Sequence, residues 1–404
     1  MITRRELIAT AAAVPIALAR PARGDAITKD GSADEFGFQG TYLDAAFVHP
    51  ISRRVLASGE AYFHDRIAQP RAVSPYGNPR NAAVEQFARL VNCAAQDIAV
   101  VPSTMAAENR VNAALDIGAG AAVVTDALHY DASLVLYAER RRRGTAVSVV
   151  PVRDNRIDLA DMREALTAQT KLVAVSLVAS ATGFVHNLAE LCDIAHKAGA
   201  LVYADIIQAA GAIPVDVTAS GVDFAACGMY KWLMADFGAA FLYVRRDRLE
   251  RLHRTDVGWR QIRSLEQHVS PFDPEVASSL DYELRGDAAG IFEVGTPAWG
   301  ALATAHTSIA SINEKGVEAI AGHREPLIAQ ARAALSRQPG FVALTPTESR
   351  SPILAFGIKD AEKRFKDRLR EKNIQISVYP NAIRISPSIY NNEGDIQELI
   401  RVLC

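Results

Sequence analysis

The chain has 404 residues, 49% of them hydrophobic, and a mean hydropathy of +0.04. A chain of this length and composition can bury a full core and is long enough for more than one domain. Its 44 basic and 46 acidic residues nearly cancel. The charge balance therefore argues against a nucleic acid or an anionic membrane as a partner.

The first residues differ in pattern from the rest of the chain. Arg4 and Arg5 precede a modestly apolar stretch over residues 7–19, and Ala17-Leu-Ala19 offers small residues for cleavage. This pattern predicts a twin-arginine signal peptide over residues 1–26, and hence export to the periplasm. The apolar stretch is too short to remain as a membrane-spanning helix, so no membrane contact is expected after cleavage. The alternative is the basic N-terminus of a cytoplasmic protein.

Further along, short runs rich in valine, isoleucine and alanine alternate with stretches of helical period. The expected strands of this part are residues 98–101, 121–125, 146–150, 172–177, 201–204 and 239–244. Such alternation is typical of a parallel sheet covered by helices. From about Thr304 the pattern changes to longer helices and then short strands, which predicts a smaller C-terminal domain.

The segment 98–109 has the form of an anion-binding turn. An apolar strand is followed by the small polar turn Pro102-Ser-Thr104 and then by a helix start. Backbone N–H groups and the helix dipole favour a negative charge at such a position, so we expect a phosphate to bind here.

Two charged residues lie where a parallel sheet binds its ligands. Asp205 ends the apolar run 201–204, and ligands of open α/β sheets lie just outside the carboxyl ends of such strands. Lys231 follows 26 residues later in an otherwise apolar segment. A lysine that forms a Schiff base with pyridoxal phosphate needs a carboxylate that keeps the pyridine nitrogen protonated. We therefore predict a pyridoxal phosphate site built on Lys231 and Asp205.

The order of these residues resembles the class V aminotransferases, a family of fold-type I pyridoxal phosphate enzymes that includes cysteine desulfurases and isopenicillin N epimerase. The family's Asp-x-x-Gln pattern is Asp205-Ile-Ile-Gln208 here, followed by Val222-Asp-Phe224 and Lys231. Matches cover residues 41–390. The resemblance implies an α/β fold with a large domain, built on a mainly parallel seven-stranded sheet, and a smaller α+β C-terminal domain.

Three parts of the chain are expected to follow the predicted signal peptide. After the signal peptide, these are an N-terminal segment at residues 27–60 that packs with the small domain, a large cofactor-binding domain at residues 61–300, and the small domain at residues 301–404.

Several cofactor contacts follow from the same resemblance. Gln208 is expected to hydrogen-bond the phenolic oxygen of the cofactor, and His129 to stack on its ring. Ser103, Thr104 and Met105 are expected to supply amides to the phosphate, with the Thr104 hydroxyl as a further donor. His129 as a structural residue and Thr104 as a helix cap are the alternatives.

Two further segments concern the phosphate and the quaternary structure. Tyr230 stands near the position of a histidine in desulfurases and is expected to contact the phosphate. Gly295 and Thr296 resemble a pair that reaches the phosphate of the neighbouring subunit. The resemblance therefore implies a homodimer with shared active sites.

Substrate contacts are expected near the C-terminus and in the middle of the chain. Arg384 in Arg384-Ile-Ser386 resembles the arginine that binds the substrate α-carboxylate, and a planar guanidinium suits a two-pronged contact with a carboxylate. An ion pair with an acidic residue is the alternative role. Ser180 or Thr182 stands where desulfurases have an asparagine near the substrate.

The expected reaction is transamination of an amino acid or amine, or a related side-chain modification. A C–S (β-eliminating) lyase or an epimerase is the first alternative, and a catalytically idle cofactor-binding protein the second. Residues 373–383 contain no cysteine, which disfavours a desulfurase that forms a persulfide on that loop. The sequence has no Gly-x-Gly-x-x-Gly at a βα turn, which excludes a typical nicotinamide dehydrogenase.

The remaining expectations concern metal binding and three residues, Cys227, Trp259 and Arg260. The four cysteines have no spacing typical of disulfides or metal ligands, so no metal site is predicted. Cys227 is either a reactive thiol near Lys231 or inert packing. Trp259 and Arg260 lie either at the mouth of the active site or at a domain edge.

Overall fold

The computed structural model describes residues 33–70, 79–273, 275 and 277–404. The predicted signal peptide lies outside the described residues.

The described residues form fifteen strands and twelve α-helices. The strands are β1 (Thr41–Tyr42), β2 (Ile98–Val101), β3 (Ala122–Asp126), β4 (Ala146–Val150), β5 (Thr170–Ser176), β6 (Leu201–Asp205), β7 (Phe224–Gly228), β8 (Ala240–Val244), β9 (Ile262–Gln267), β10 (Leu280–Leu284), β11 (Val342–Ala343), β12 (Leu354–Gly357), β13 (Ile374–Gln375), β14 (Ser377–Tyr379) and β15 (Ala382–Ile385). The helices are α1 (Arg53–Ala68), α2 (Pro79–Leu90), α3 (Thr104–Ala114), α4 (Asp131–Arg142), α5 (Leu159–Glu164), α6 (Leu188–Lys197), α7 (Val217–Ser220), α8 (Ala288–Phe292), α9 (Trp299–Lys315), α10 (Val317–Leu335), α11 (Ala361–Glu371) and α12 (Glu393–Leu403).

A seven-stranded sheet forms the centre of the large domain. Its strand order is β2-β8-β7-β6-β5-β3-β4, and only β8 runs antiparallel to its neighbours. Helices cover both faces, so the strands are apolar on both sides. In β6, Val202 and Ala204 pack into one apolar cluster, whereas Leu201 and Tyr203 pack into the other. The predicted α/β fold with a mainly parallel seven-stranded sheet is confirmed.

The C-terminal part of the chain contains a second, four-stranded sheet. Its order is β11-β12-β15-β14, and all of its pairings are antiparallel. Helices α10, α11 and α12 share one apolar cluster with this sheet. Strand β1 pairs in parallel with β13, and Asp44 forms a bridge with Ser386, so the N-terminal segment packs on this part of the molecule.

Helix α9 begins at the expected boundary between the two domains. Its buried residues Ala301, Leu302, Ala305 and Ile309 belong to the apolar cluster of the large domain.

Over the described residues, no helix combines the length and the apolarity that crossing a membrane requires.

Candidate active site

A cavity of about 170 Å³ opens where the parallel strands of the large sheet end. Strands β2, β3, β5, β6 and β7 point the same way, so the residues that follow them meet at this edge. The predicted site residues that line the cavity are Ser103, Thr104, Met105, Ser180, Asp205, Gln208, Tyr230 and Lys231.

Lys231 lies on an anchored turn just after β7. Trp232 and Leu233, the next two residues, are fully buried, and Nε1 of Trp232 donates a hydrogen bond to Oε1 of Gln208 at 2.8 Å. Burial lowers the pKa of the Lys231 amine to about 8, although the charge of Asp205 acts in the opposite direction. A much larger fraction of this amine than of an exposed lysine is therefore neutral near pH 7.

Asp205 is a buried carboxylate at the end of β6. Only 5% of the residue is exposed, and its Oδ1 accepts a hydrogen bond from the N–H of Ile207 at 2.9 Å. Burial raises the pKa of Asp205 to about 6, while that hydrogen bond and the charge of His129 lower it. A cationic ligand group beside the carboxylate would offset the cost of burying its charge.

Gln208 bridges the cavity wall and the N-terminal segment. Its Nε2 donates to the carbonyl oxygen of Ala46 at 2.9 Å, while its Oε1 accepts from Trp232. An amide nitrogen carries two hydrogens, so one of them is left for a ligand oxygen.

His129 is held by hydrogen bonds on both sides of its ring. Its Nδ1 lies 2.9 Å from Oγ of Ser176, and its Nε2 lies 3.0 Å from Oε1 of Glu108. Burial by itself would lower the pKa of His129, but the charge and hydrogen bond of Glu108 outweigh it and raise the pKa. The neighbours Tyr130 and Ser176 line the cavity, whereas His129 is not among the lining residues.

Glu108 is the centre of this buried network. It accepts hydrogen bonds from Ser133 at 2.6 Å and from Tyr137 at 2.8 Å, in addition to its contact with His129. Burial acts to raise the pKa of Glu108, but His129 and the hydroxyl donors hold it below the usual range. Sequence reasoning missed Glu108, since a glutamate on a helix is usually solvated.

One part of the cavity is lined by the N-terminus of α3. Ser103 is its N-cap, and its hydroxyl accepts a hydrogen bond from the N–H of Ala106 at 3.1 Å. Ser103, rather than Thr104, is therefore the capping residue. Because the first N–H groups of a helix lack partners within it, this end of the cavity favours an anion.

Arg384 lies one layer away from the cavity wall. Its NH2 group contacts Asp44 at 3.3 Å and donates to Oγ of Ser377 at 2.8 Å, and its NH1 group donates to the carbonyl oxygen of Ser180 at 3.1 Å. Neither Arg384 nor Asp44 is among the lining residues. Sequence reasoning missed Asp44, although Asp44 lies within the matched segment.

Four other residues of interest lie away from the cavity. Gly295 and Thr296 are exposed and do not line it. Trp259 is half-exposed, and the Arg260 guanidinium lies 3.3 Å from Glu293. Neither lines the cavity.

Ser180 and Thr182, the two candidates for a substrate contact, differ in position. Ser180 lines the cavity, whereas Thr182 is not among the lining residues, and its hydroxyl accepts a hydrogen bond from the N–H of Phe184.

Cys227 is fully buried in β7, and burial raises the pKa of its thiol well above the usual value. A buried thiol with a raised pKa favours inert packing. Across the described residues, no three His, Cys, Asp or Glu side chains are grouped closely enough to hold a metal ion.

Comparison with known proteins agrees with this geometry. The profile of the family described as "Aminotransferase class-V" matches residues 41–399. The "Uncharacterized aminotransferase YcbU" of Bacillus subtilis (strain 168) is 26% identical over 357 residues, which cover 88% of this chain and 90% of that protein. A "Probable cysteine desulfurase" of Methanothermobacter thermautotrophicus is 26% identical over 343 residues, with 83% and 82% covered.

Among solved structures, the cysteine desulfurase CsdA of Escherichia coli superposes with a TM-score of 0.78 at 20% identity, covering 92% of this chain and 96% of that one. That likeness concerns the fold, whereas the family profile spans most of the chain. The chain therefore belongs to the aminotransferase class-V family and is a pyridoxal phosphate-dependent enzyme, a transferase or a lyase.

Proposed function

We propose that this enzyme transfers the amino group of an amino acid or an amine. The observation that carries the proposal is that Lys231, Asp205 and the N-terminus of α3 all line one cavity. The cavity thus combines an amine of lowered pKa, a buried carboxylate and an anion site.

The residues of the cavity fit pyridoxal phosphate. Asp205 is a buried carboxylate that a protonated ring nitrogen would compensate, and Gln208 keeps one N–H for the phenolic oxygen. Ser103, Thr104 and Met105 would hold the phosphate at the start of α3. Tyr230 stacks on Phe237 with ring centroids 4.7 Å apart, and both rings line the same cavity.

When bound, pyridoxal phosphate withdraws electrons from the substrate carbon that carries the amino group. Lys231 would hold the cofactor covalently, and its amine, when free, would carry protons to and from the substrate carbon. A pKa of about 8 suits the Lys231 amine to proton transfer, because a general base is most effective when its pKa lies near the working pH. Asp205, a buried carboxylate, would stabilise positive charge at the ring nitrogen.

His129 is best assigned a positioning role through Ser176. Both of its ring nitrogens are hydrogen-bonded to protein groups. A ring held in this way is fixed in orientation, and the expected stacking on the cofactor ring would use its face rather than its nitrogens.

The absence of a cysteine from residues 373–383 supports amino transfer over persulfide formation. The names of the relatives include both an aminotransferase and cysteine desulfurases. A β-eliminating lyase and an epimerase remain the alternative reactions, because Lys231 and Asp205 serve all of them alike.

The proposal extends to assembly and location. Gly295 and Thr296 are exposed and do not line the cavity of their own chain, which supports their proposed reach to the phosphate of a second copy in a homodimer. Export to the periplasm by the twin-arginine route is proposed from Arg4 and Arg5.

One experiment separates the candidate reactions. The purified holoenzyme is incubated with a panel of amino acids and amines while its absorption spectrum and the products are followed. Conversion to the pyridoxamine form supports amino transfer, whereas pyruvate with ammonia supports elimination and loss of optical activity supports epimerisation. A silent spectrum with every compound would favour an idle cofactor-binding protein. Borohydride reduction followed by peptide mapping must place the cofactor on Lys231, and an adduct on another lysine would refute the assignment.

A further inference from the structure

Arg324 is a buried cation on α10 without a carboxylate partner. Only 2% of the residue is exposed, and within the described residues no acidic side chain forms an ion pair with it. Its NH2 group donates a hydrogen bond to the carbonyl oxygen of Ala212 at 2.7 Å, whereas NH1 has no hydrogen-bond partner among the described residues. Burial lowers the pKa of Arg324 to about 10, and the charge of Glu325 acts in the opposite direction. A charge buried at such a cost needs a further compensating contact.

That contact is the indole ring of Trp232, the residue next to Lys231. Cζ of Arg324 lies 5.4 Å from the centroid of the ring, which is within the range of a cation–π interaction. Trp232 is fully buried, and a cation is attracted more strongly to a desolvated ring than to an exposed one. Arg324 therefore stabilises the position of the indole ring.

The indole ring in turn sets the orientation of the Gln208 amide. Nε1 of an indole can only donate, so the amide atom of Gln208 that lies 2.8 Å from it is the oxygen, Oε1. The amide nitrogen is then left for the carbonyl oxygen of Ala46 and for the cavity that Gln208 lines. If the indole ring of Trp232 shifted, the amide would lose the contact that fixes this orientation, and its oxygen could turn toward the cavity in place of the N–H.

Arg324 also fixes the backbone on which this contact depends. Gly211 has a φ of +86°, and a Cβ atom there would lie 2.4 Å from the carbonyl oxygen of Trp232, so the two backbones pack directly together. Ala212, which accepts the hydrogen bond from Arg324, follows Gly211 in the chain. Helix α10 otherwise packs in the apolar cluster of the C-terminal domain. One side chain of that helix thus holds both Trp232 and the segment after β6 that carries Gln208.

We propose that Arg324 is a positioning residue for the cofactor, and that it acts through Trp232 to keep the N–H of Gln208 directed at the phenolic oxygen. This role rests on the proposed contact between Gln208 and that oxygen, and it does not depend on which reaction follows. An N–H donor draws electron density onto the oxygen and weakens its hold on the proton that it shares with the lysine nitrogen. Loss of the donor should therefore raise the pH at which the lysine-bound cofactor loses this proton.

The test follows the visible absorption of the holoenzyme during a pH titration. Arg324→Met keeps an unbranched side chain and removes the charge and the donors. We expect its midpoint to lie about one pH unit above that of the wild type, the size typical of one lost hydrogen bond. Arg332→Met is the matched control, because Arg332 lies further along α10 and donates to the carbonyl oxygen of Thr345 at 2.8 Å, away from the cavity. Its midpoint should equal that of the wild type. An unchanged midpoint in Arg324→Met, or an equal rise in Arg332→Met, would overturn the proposal.

Gln208→Leu shows whether Arg324 acts through Gln208. This change alone should raise the midpoint about as much as Arg324→Met does, and the two changes together should raise it no further, because they remove the same contact. Additive rises would refute the path through Gln208. No rise in Gln208→Leu would refute its contact with the phenolic oxygen, and the proposed role of Arg324 with it. Failure of the proposed function appears separately, as a holoenzyme whose midpoints shift as expected but which converts no compound.

A variant of the indole ring serves if Arg324→Met does not fold. Trp232→Phe keeps an aromatic face for Arg324 but removes the N–H that fixes the Gln208 amide. Its midpoint should therefore rise to that of Gln208→Leu, although the guanidinium is still in place. A midpoint equal to that of the wild type would show that the indole ring does not orient Gln208, and would contradict the proposal.

Discussion

The lowered pKa of Lys231 predicts how fast this lysine takes up the cofactor at different pH values. Only the neutral amine attacks an aldehyde, so the uptake rate follows the neutral fraction. With a pKa of about 8, this fraction at pH 7 is about one in ten. For an exposed lysine with a pKa of 10.4 it is about one in 2,500, so Lys231 should react roughly 200-fold faster than an exposed lysine of equal access.

The sign of the pH dependence follows from the cause of the shift. Burial disfavours the charged amine and lowers the pKa, so the uptake rate should rise with pH and level off above about pH 8. Asp205 acts in the opposite direction, because its negative charge stabilises the ammonium form. Asp205→Asn should therefore move the inflection below that of the wild type.

The assay uses cofactor-free protein mixed with excess pyridoxal phosphate. The visible absorption of the lysine-bound cofactor gives the rate between pH 6 and pH 10, and borohydride trapping confirms that Lys231 is the site. An inflection near pH 10, or an Asp205→Asn inflection above that of the wild type, would refute this account of how burial and Asp205 act on Lys231.

Three other predictions test separate parts of the molecule. In Asp205→Asn, the cofactor should stay attached while turnover falls by about two to three orders of magnitude, as is typical when one preorganised charge is lost; turnover near that of the wild type would show that another group partners the ring nitrogen. Glu108→Gln removes the charge that raises the pKa of His129, so burial should then lower this pKa below that of the wild type; NMR titration of the imidazole checks the shift, and an unchanged midpoint would contradict the network. Exchange of Arg4 and Arg5 for lysine should keep a folded precursor in the cytoplasm, as cell fractionation would show, and undiminished periplasmic protein would exclude the twin-arginine route.

The sequence predicted the large sheet well, with one instructive omission. Strand β6 is recognisable because leucine, valine, tyrosine and alanine follow one another before Asp205. Strand β7, Phe224–Gly228, was not among the predicted strands, since alanine and glycine have little strand propensity. Its neighbours β6 and β8 pair with it on both sides, so tertiary packing makes it a strand.

The sequence by itself also determined which residues border the cavity at the strand ends. Ligands of a parallel sheet lie at the carboxyl ends of its strands, so the sequence places Asp205, at the end of β6, at this edge of the sheet. Lys231 joins it there because β7 runs parallel to β6, which the fold shows. The start of α3 after β2 follows from the same rule, as Ser103 shows. The places of Asp205 and Ser103 are local consequences of strand direction, and no knowledge of side-chain packing is needed to infer them.

Only the tertiary structure decided the partners of the charged side chains. Asp44 and Arg384 are 340 residues apart in the chain, and their pairing depends on how the N-terminal segment packs against β15. The contact of Glu108 with His129 likewise joins a helix to the turn after another strand. Hydrogen bonds and charge interactions depend on distances of a few ångströms in space, which sequence spacing does not specify once residues lie on different elements. For that reason Arg384 could be selected from the sequence as a functional residue, whereas its carboxylate partner, Asp44, became known only from the fold.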